Sequence, residues 1–170
     1  MTKILVTGGL GFIGSNFINF VNKERPKWKI TILDLHTYAS GKSNVNSKKN
    51  KIVKGDIRNK KVVNKLVKTN DIVINFAAET HNDNSLLDPS SFVTTNLIGT
   101  YNILEAIREY NKRLHHISTD EVFGDLPLKS KAKFNENTPY NPSSPYSSTK
   151  AGSDLLVRSW IRSFGVKATI

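Results

Sequence analysis

Short apolar, β-branched runs alternate along the chain with longer stretches of helical periodicity. Lys3 to Val6, Ile30 to Leu33, Ile52 to Val53, Ile72 to Phe76, His116 to Ile117 and Val166 to Ile170 predict strands. Between them, Ile13, Phe17, Phe20 and Val21 recur at i, i+4, i+7 and i+8, and Leu97, Tyr101, Leu104 and Ile107 at helical spacing, which predicts amphipathic helices. Strands apolar on both faces, alternating with helices, predict an α/β fold with a doubly wound parallel sheet covered on either side. Gly41 to Asn50 is polar and rich in Lys, Ser and Asn, and predicts a surface loop; a second loop runs from Asp125 to Pro145, punctuated by Pro127, Pro139, Pro142 and Pro145. Ser144-Pro145 then predicts a helix start, with Ser144 as N-cap and Pro145 where a missing N–H costs nothing.

A chain of 170 residues predicts a single domain, 1–170, with one core. The absence of Cys excludes disulfides, thiolate metal sites and cysteine nucleophiles. The histidines, His36, His81, His115 and His116, lack metal-site spacing, so no metal is expected. No apolar run approaches the roughly 20 residues of a membrane span, and Met1-Thr2-Lys3 leads straight into a strand, which predicts a cytoplasmic protein without membrane contact. The formal charge of +11 is concentrated between Lys42 and Lys68, where ten Lys/Arg face one acid, Asp56. Those cations carry no interleaved aromatics and no recognised DNA- or RNA-binding pattern, so the segment reads as a solvated face and nucleic acid is not the expected partner. The chain ends at Ile170 inside its sixth predicted strand, which reads as a truncated chain.

Thr7-Gly8-Gly9-Leu10-Gly11-Phe12-Ile13-Gly14 follows the first strand and opens a helix, the context a dinucleotide-binding glycine motif requires. Gly8 and Gly9 suit a tight turn, Gly11 the approach of backbone N–H groups to a pyrophosphate, and Gly14 close packing. Phe12, Ile13 and Gly14 start the helix whose N-terminus would hold the anion. Asp34 ends the second strand and is placed to accept from the ribose hydroxyls and to repel a 2′-phosphate, so NAD is expected over NADP. Asp56 and Ile57 after the third strand, and Ala77 and Ala78 after the fourth, also fall at carboxyl ends of strands and are expected at the cofactor.

Ser118-Thr119-Asp120-Glu121-Val122-Phe123-Gly124 and Tyr146-Ser147-Ser148-Thr149-Lys150 add reactive chemistry to this nucleotide site. Tyr146 and Lys150 fall one helical turn apart on one face. With TGGLGFIGSN (residues 7–16), AAETHNDNS (78–85 with Ala77), TNLIGTYNILEA (95–106) and SPYSSTKAGSDLLVRSW (144–160), the chain resembles the extended short-chain dehydrogenase/reductases, and among them the nucleotide-sugar 4,6-dehydratases of the dTDP-glucose type. The resemblance implies a Rossmann domain with NAD, a nucleotide-sugar substrate and, in the full-length family form, a homodimer. It gives Tyr146 the role of base on the sugar 4-hydroxyl, Lys150 that of favouring the phenolate and holding the nicotinamide ribose, and Thr119 that of fixing the reacting oxygen. Glu121 would take the C5 proton, and Asp120, held protonated, would give a proton to the departing C6 hydroxyl, in a closed apolar pocket that separates their pKa values. Asn96 is similar to a helix-kinking Asn on the Lys side, and His81, Asp83 and Ser85 to a substrate-facing segment.

The chain departs from that pattern twice. Asn82 and Asn84 stand where bacterial dTDP-glucose enzymes carry Val and Arg, and Asn at the latter position is similar to UDP-glucose enzymes, which leaves dTDP and UDP both open. The chain is also little more than half the family's length, lacking most of the substrate domain. A 4-epimerase or decarboxylase of the same family would share the glycine turn, Tyr146 and Lys150 without needing Asp120 and Glu121. A non-catalytic NAD-binding protein is the reading from another class.

Overall fold

The computed structural model describes residues 1–129 and 131–170. Among the described residues six parallel strands form one sheet: β1 (Lys3–Thr7), β2 (Lys29–Asp34), β3 (Lys51–Lys54), β4 (Ile72–Asn75), β5 (Arg113–His116) and β6 (Lys167–Thr169). Their order across the sheet is β3-β2-β1-β4-β5-β6. The chain winds outward from β1 in one direction and then, from β4, in the other. The strand order therefore reverses between β1 and β4, and a crevice opens at their carboxyl ends, where Thr7 stands in register with Leu33 and Asn75.

Successive side chains of a strand point to opposite faces, so each strand feeds two cores. Leu5, Leu33, Val73 and Leu114 pack on one face against helices α2 (Lys60–Lys68), α5 (Thr100–Tyr110) and α6 (Pro145–Phe164). Ile4, Val6, Ile30, Ile32 and Ile74 pack on the other, against helix α1 (Phe12–Glu24) and Val45. Val45 and Asn50 are buried, so the polar segment from Gly41 to Asn50 lies on the protein and is partly core. The lysine-rich stretch folds into the edge strand β3 and the outer side of α2; Lys51, Lys54, Lys60, Lys61, Lys65 and Lys68 are exposed, while Val63, Leu66 and Val67 turn inward.

Two sequence expectations need correction. The buried face of α1 is Gly14, Ser15, Ile18 and Val21, whereas Ile13 and Phe20 are each 63 % exposed. The reason is steric: a Cβ at Gly14 would sit 2.5 Å from the Gly8 carbonyl oxygen, so this glycine faces the turn and fixes the helix rotation. Ile13 is thereby carried outward toward the crevice. The fifth strand starts at Arg113 rather than His116, with Leu114 its one fully buried apolar residue, because His116 is buried through polar partners that its type does not announce.

Helices α3 (Asn82–Leu87) and α4 (Pro89–Phe92) follow β4, and α4 runs into a π-helical stretch, Val93–Gly99, that continues as α5. Such widened turns are uncommon and cluster at functional sites. Ser144 caps α6 with a reciprocal capping box to Ser147, and Pro145 occupies its first turn, as the sequence predicts.

Candidate active site

A cleft of about 440 Å³ lies over the β1–β4 reversal. One wall is the glycine turn. Gly8 has φ +66°, and a Cβ there would stand 2.6 Å from the Ala77 backbone nitrogen, so only glycine lets β1 leave its strand this close to β4. Gly11 caps α1 with no side-chain partner, and its own Cβ position meets only the Gly8 carbonyl, at 3.4 Å. Packing therefore leaves room for a side chain at Gly11, and that room belongs to the cleft. The unencumbered N-terminus of α1 aims its N–H groups and positive dipole end there, which suits an anionic phosphate.

Gly8, Gly11, Phe12, Ile13, Gly14, Asp34, Asp56, Ile57, Ala77, Ala78, Tyr146 and Lys150 all line this one cleft, so the cofactor residues expected from sequence are brought together. Asp34 is only 6 % exposed and already accepts from Leu10 N (3.0 Å), His36 N (2.9 Å) and Ser40 Oγ (2.7 Å). A carboxylate offers about four acceptor sites, which leaves room for one hydroxyl, or for two if Ser40 turns away. Asp56 pairs with Arg58 at 2.6 Å; burial pushes its carboxyl up, but the Arg58 side chain and N–H outweigh this and hold it below the usual range. Ile57 is buried under Gly99, and Asn102 Nδ2 donates to the Ile57 and Arg58 carbonyls, which fixes this stretch against α5.

Tyr146 and Lys150 project from the first turns of α6 into the opposite end of the cleft. Tyr146 is 7 % exposed, packs edge-on against Phe92, and has the Thr119 side chain near its hydroxyl. Burial pushes the phenol above its ordinary value; the Thr119 contact works the other way, and Glu121 and Asp120 add to the rise. Lys150 is 5 % exposed, donates through Nζ to the Ile117 carbonyl, and is pushed by burial down to about 8, against the pull of Asp154. Tyr146 is thereby held neutral, and the Lys150 ammonium is anchored on the Ile117 carbonyl at the cleft wall.

Thr119 caps a short 3₁₀ turn, Asp120–Phe123, by accepting from Glu121 N at 3.3 Å. Asp120 is exposed and Glu121 half-buried, and neither lines the cleft, so the described residues build no closed apolar pocket around the pair. His81 does line the cleft, with its ring 5.9 Å from that of Tyr38. Asp83 is exposed on α3, and Ser85 is fully buried with its hydroxyl donated to the Asn82 carbonyl, so neither of these reaches the cleft. Asn96 sits in the π-helical turn, exchanges two hydrogen bonds with the Glu79 backbone and donates to Thr149 Oγ1 at 3.0 Å. It thus braces α6 beside Lys150 without touching it. Among the described residues no three His, Asp or Glu gather to hold a metal, and no helix is long and apolar enough to cross a membrane.

The model of the family described as GDP-mannose 4,6 dehydratase matches residues 5–170. The chain belongs to this family. Within it, the chain is 56 % identical over 170 residues to the dTDP-glucose 4,6-dehydratase of Mycolicibacterium smegmatis, a match covering 99 % of this chain and 51 % of that one. The crystal structure of a dTDP-glucose 4,6-dehydratase from Streptomyces venezuelae with NAD bound superposes with a TM-score of 0.90 at 35 % identity, covering 98 % of this chain and 54 % of that one. A UDP-glucose 4-epimerase from Thermus thermophilus in complex with NAD gives 0.87 at 29 % identity, with 98 % and 53 % covered. The chain spans about half the length of the relatives it matches.

The structure adds cleft-lining residues to which the sequence reading assigns no role. Glu79, Thr80, Thr95 and Ser118 line the cleft, and Glu79 is pushed up by burial. Leu35 and Tyr38 form its rim, Tyr38 accepting from Asn84 Nδ2 at 3.2 Å across the cleft mouth. Position at a strand's carboxyl end is the signal that could have found Glu79, Leu35 and Ser118. Nothing in local pattern marks Tyr38.

Proposed function

We propose that residues 1–170 form the NAD-binding, catalytic-residue-bearing domain of an enzyme that dehydrates a nucleotide-activated glucose to its 4-keto-6-deoxy form. The observation that carries this reading is the meeting, in one cleft, of the glycine turn and the buried Tyr146 and Lys150, with Thr119 close enough to act on Tyr146 and leading directly into Asp120 and Glu121. The room left at Gly11 and the acceptor left on Asp34 fit the pyrophosphate and adenosine ribose of NAD, which when bound supplies the acceptor and donor of the hydride.

In this scheme Tyr146 takes the proton of the sugar 4-hydroxyl, steadied by Thr119, and Lys150 holds the nicotinamide ribose. Glu121 removes the C5 proton once C4 is a ketone while Asp120 protonates the leaving C6 hydroxyl, and Glu121 gives the proton back to C5 as C6 receives the hydride. His81 faces the substrate from the cleft; Asp83 and Ser85 serve it through the fold of α3. The substrate is dTDP-glucose in first place, as in the M. smegmatis relative's name, and UDP-glucose in second, for Asn84. The protein is cytoplasmic and, with the family's remaining half, a homodimer; the exposed Ile98, Tyr101, Leu155 and Ile161 on the π-helical turn, α5 and α6 offer apolar surface for it.

The test joins the family's remaining half to this chain and supplies dTDP-glucose and UDP-glucose with NAD. Formation of the 4-keto-6-deoxy sugar is expected, and its absence with a C4-epimerised product refutes the dehydratase reading. One observation favours that second reading, a 4-epimerase: Asp120 and Glu121 stand outside the cleft lining, while the groups both reactions share stand within it.

A further inference from the structure

Beneath the cleft floor lies a set of buried polar groups that the scheme above does not use. Thr7 Oγ1 donates to Asn75 Oδ1, and Asn75 Nδ2 donates to His116 Nδ1 at 3.1 Å. His116 therefore carries its proton on Nε2, which lies 3.1 Å from Ser153 Oγ and 3.5 Å from Asp154 Oδ1. Asp154 is wholly buried. It accepts from Ser118 Oγ, at the end of β5, and from the Tyr140 hydroxyl, at 3.1 Å, on the long loop.

A carboxylate so deep is costly unless a cation compensates it. Three basic residues and one phenol face it: His116, Lys150, Arg158 and Tyr140. His116 does not supply the charge, because burial, reinforced by Lys150 and His115, pushes it down to about 3 and keeps it neutral. Arg158 is exposed, so water screens it. Lys150 remains: buried, on the same helix and four residues before Asp154, one turn away on the same face, where the two charges act on each other through the dry interior without a direct bond. From the other side, Asp154 is the charged group that acts on Lys150, whose ammonium donates to the uncharged Ile117 carbonyl.

We propose that Asp154 is the buried counter-ion of Lys150, a positioning residue that keeps the ammonium charged and aimed at the cleft. The same carboxylate holds Ser118, the residue before Thr119-Asp120-Glu121, so a single side chain of α6 ties the acid-bearing segment to the helix that carries Tyr146 and Lys150. Its bearing on turnover rests on the dehydratase reading above; the charge pairing does not. Asp154 lies behind the cleft and touches neither substrate nor cofactor space, and its effect passes through Lys150.

The test is a pH titration of the 170-residue chain by NMR without cofactor, following the Lys150 Cε and Nζ signals, assigned with Lys150→Arg. Asp154→Asn keeps shape and acceptor oxygen but removes the charge. It is expected to lower the proton affinity of Lys150 at least tenfold, and Asp154→Glu to restore most of it. A folded Asp154→Asn chain with an unchanged Lys150 titration overturns the pairing. The unmodified chain gives a second reading that no folding defect can obscure: the Asp154 Cγ signal is expected to inflect where Lys150 loses its proton, near 8. A flat Cγ signal through that pH overturns the proposal by itself. Because neither measurement involves nucleotide or sugar, failure here is distinguishable from failure of the proposed reaction.

Discussion

Replacing Gly8 and Gly11 separately by alanine distinguishes a glycine the fold requires from one the ligand requires. At Gly8, φ +66° costs an L-residue about 1–2 kcal/mol. The new methyl would also stand 2.6–2.8 Å from three backbone atoms of Phe76 and Ala77, which cannot rotate away, and overpacking of this kind costs roughly 1–3 kcal/mol. The two together amount to about 2–5 kcal/mol. For a chain of this size that lowers Tm by roughly 4–20 °C, at about 2–4 °C per kcal/mol. At Gly11, φ is −69°, the nearest atom to the new methyl is 3.4 Å away, and the remaining loss is the poorer N-cap, roughly 1 kcal/mol or less. The methyl there points into the cleft at the α1 N-terminus, so NAD affinity should fall at least tenfold while the fold survives. Thermal and urea unfolding of the apo chain measure the first effect, and calorimetric titration with NAD the second. Equal losses of stability in the two variants, or undiminished NAD binding by Gly11→Ala, would refute the division of labour.

Further substitutions test the site. The Lys150 pKa is depressed in the folded state, so the unfolded chain binds more protons between about 8 and 10.5 and stability should rise with pH across that window; Lys150→Met should flatten the slope in urea unfolding. His116, depressed to about 3, acts likewise at the acid end: stability should fall as pH drops from 6.5 toward 3, and His116→Gln should remove part of that fall. Asp34→Asn should narrow the preference for NAD over NADP in paired titrations, and an unchanged ratio would make Asp34 only an anchor for Leu10, His36 and Ser40. In a chain of family length, Tyr146→Phe should abolish oxidation at C4, whereas Asp120→Asn and Glu121→Gln should slow release of the 4-keto-6-deoxy sugar by about 10²–10⁴-fold; parental rates in both carboxylate variants would contradict their assigned roles.

What could be read from sequence follows from which interactions are local. Parallel strands buried on both faces leave continuous apolar runs, so β1, β2 and β4 are visible from composition alone. The start of α6 is legible because Ser144 and Pro145 act within one turn of themselves. The rotation of α1 is not legible from its apolar residues, since a contact between Gly14 and Gly8 sets it and the large side chains follow. β5 is obscured for a related reason: His116 is buried through Asn75, 41 positions away, and Ser153, 37 away, and no local window contains both. The cofactor half of the site is carried by a contiguous motif and could be placed residue by residue. The acids are adjacent in sequence to Thr119, yet whether they are enclosed depends on surfaces that no motif encodes.

The two halves of the site also differ in how they are held. On the nucleotide side, position comes from backbone: a glycine turn, a helix end, and a carboxylate pinned by two N–H groups. Such groups need little from the rest of the molecule to stay in place. On the reactive side, position comes from side chains whose neighbours are themselves buried and polar: Asn96 on Thr149, Asp154 on Ser118 and Tyr140, His116 on Asn75. Buried polar groups hold geometry tightly when every partner is present and become costly when one is lost. Mutation on this side should therefore impair the fold and the chemistry together, while mutation at Gly11 or Asp34 should separate them. The exposed Asp120 is the exception, since its partner, the Thr119 hydroxyl at 3.5 Å, is itself only half-buried. A group that must exchange a proton with substrate gains its enclosure when substrate or further chain covers it, whereas Tyr146 and Lys150 are already buried in the chain as it stands.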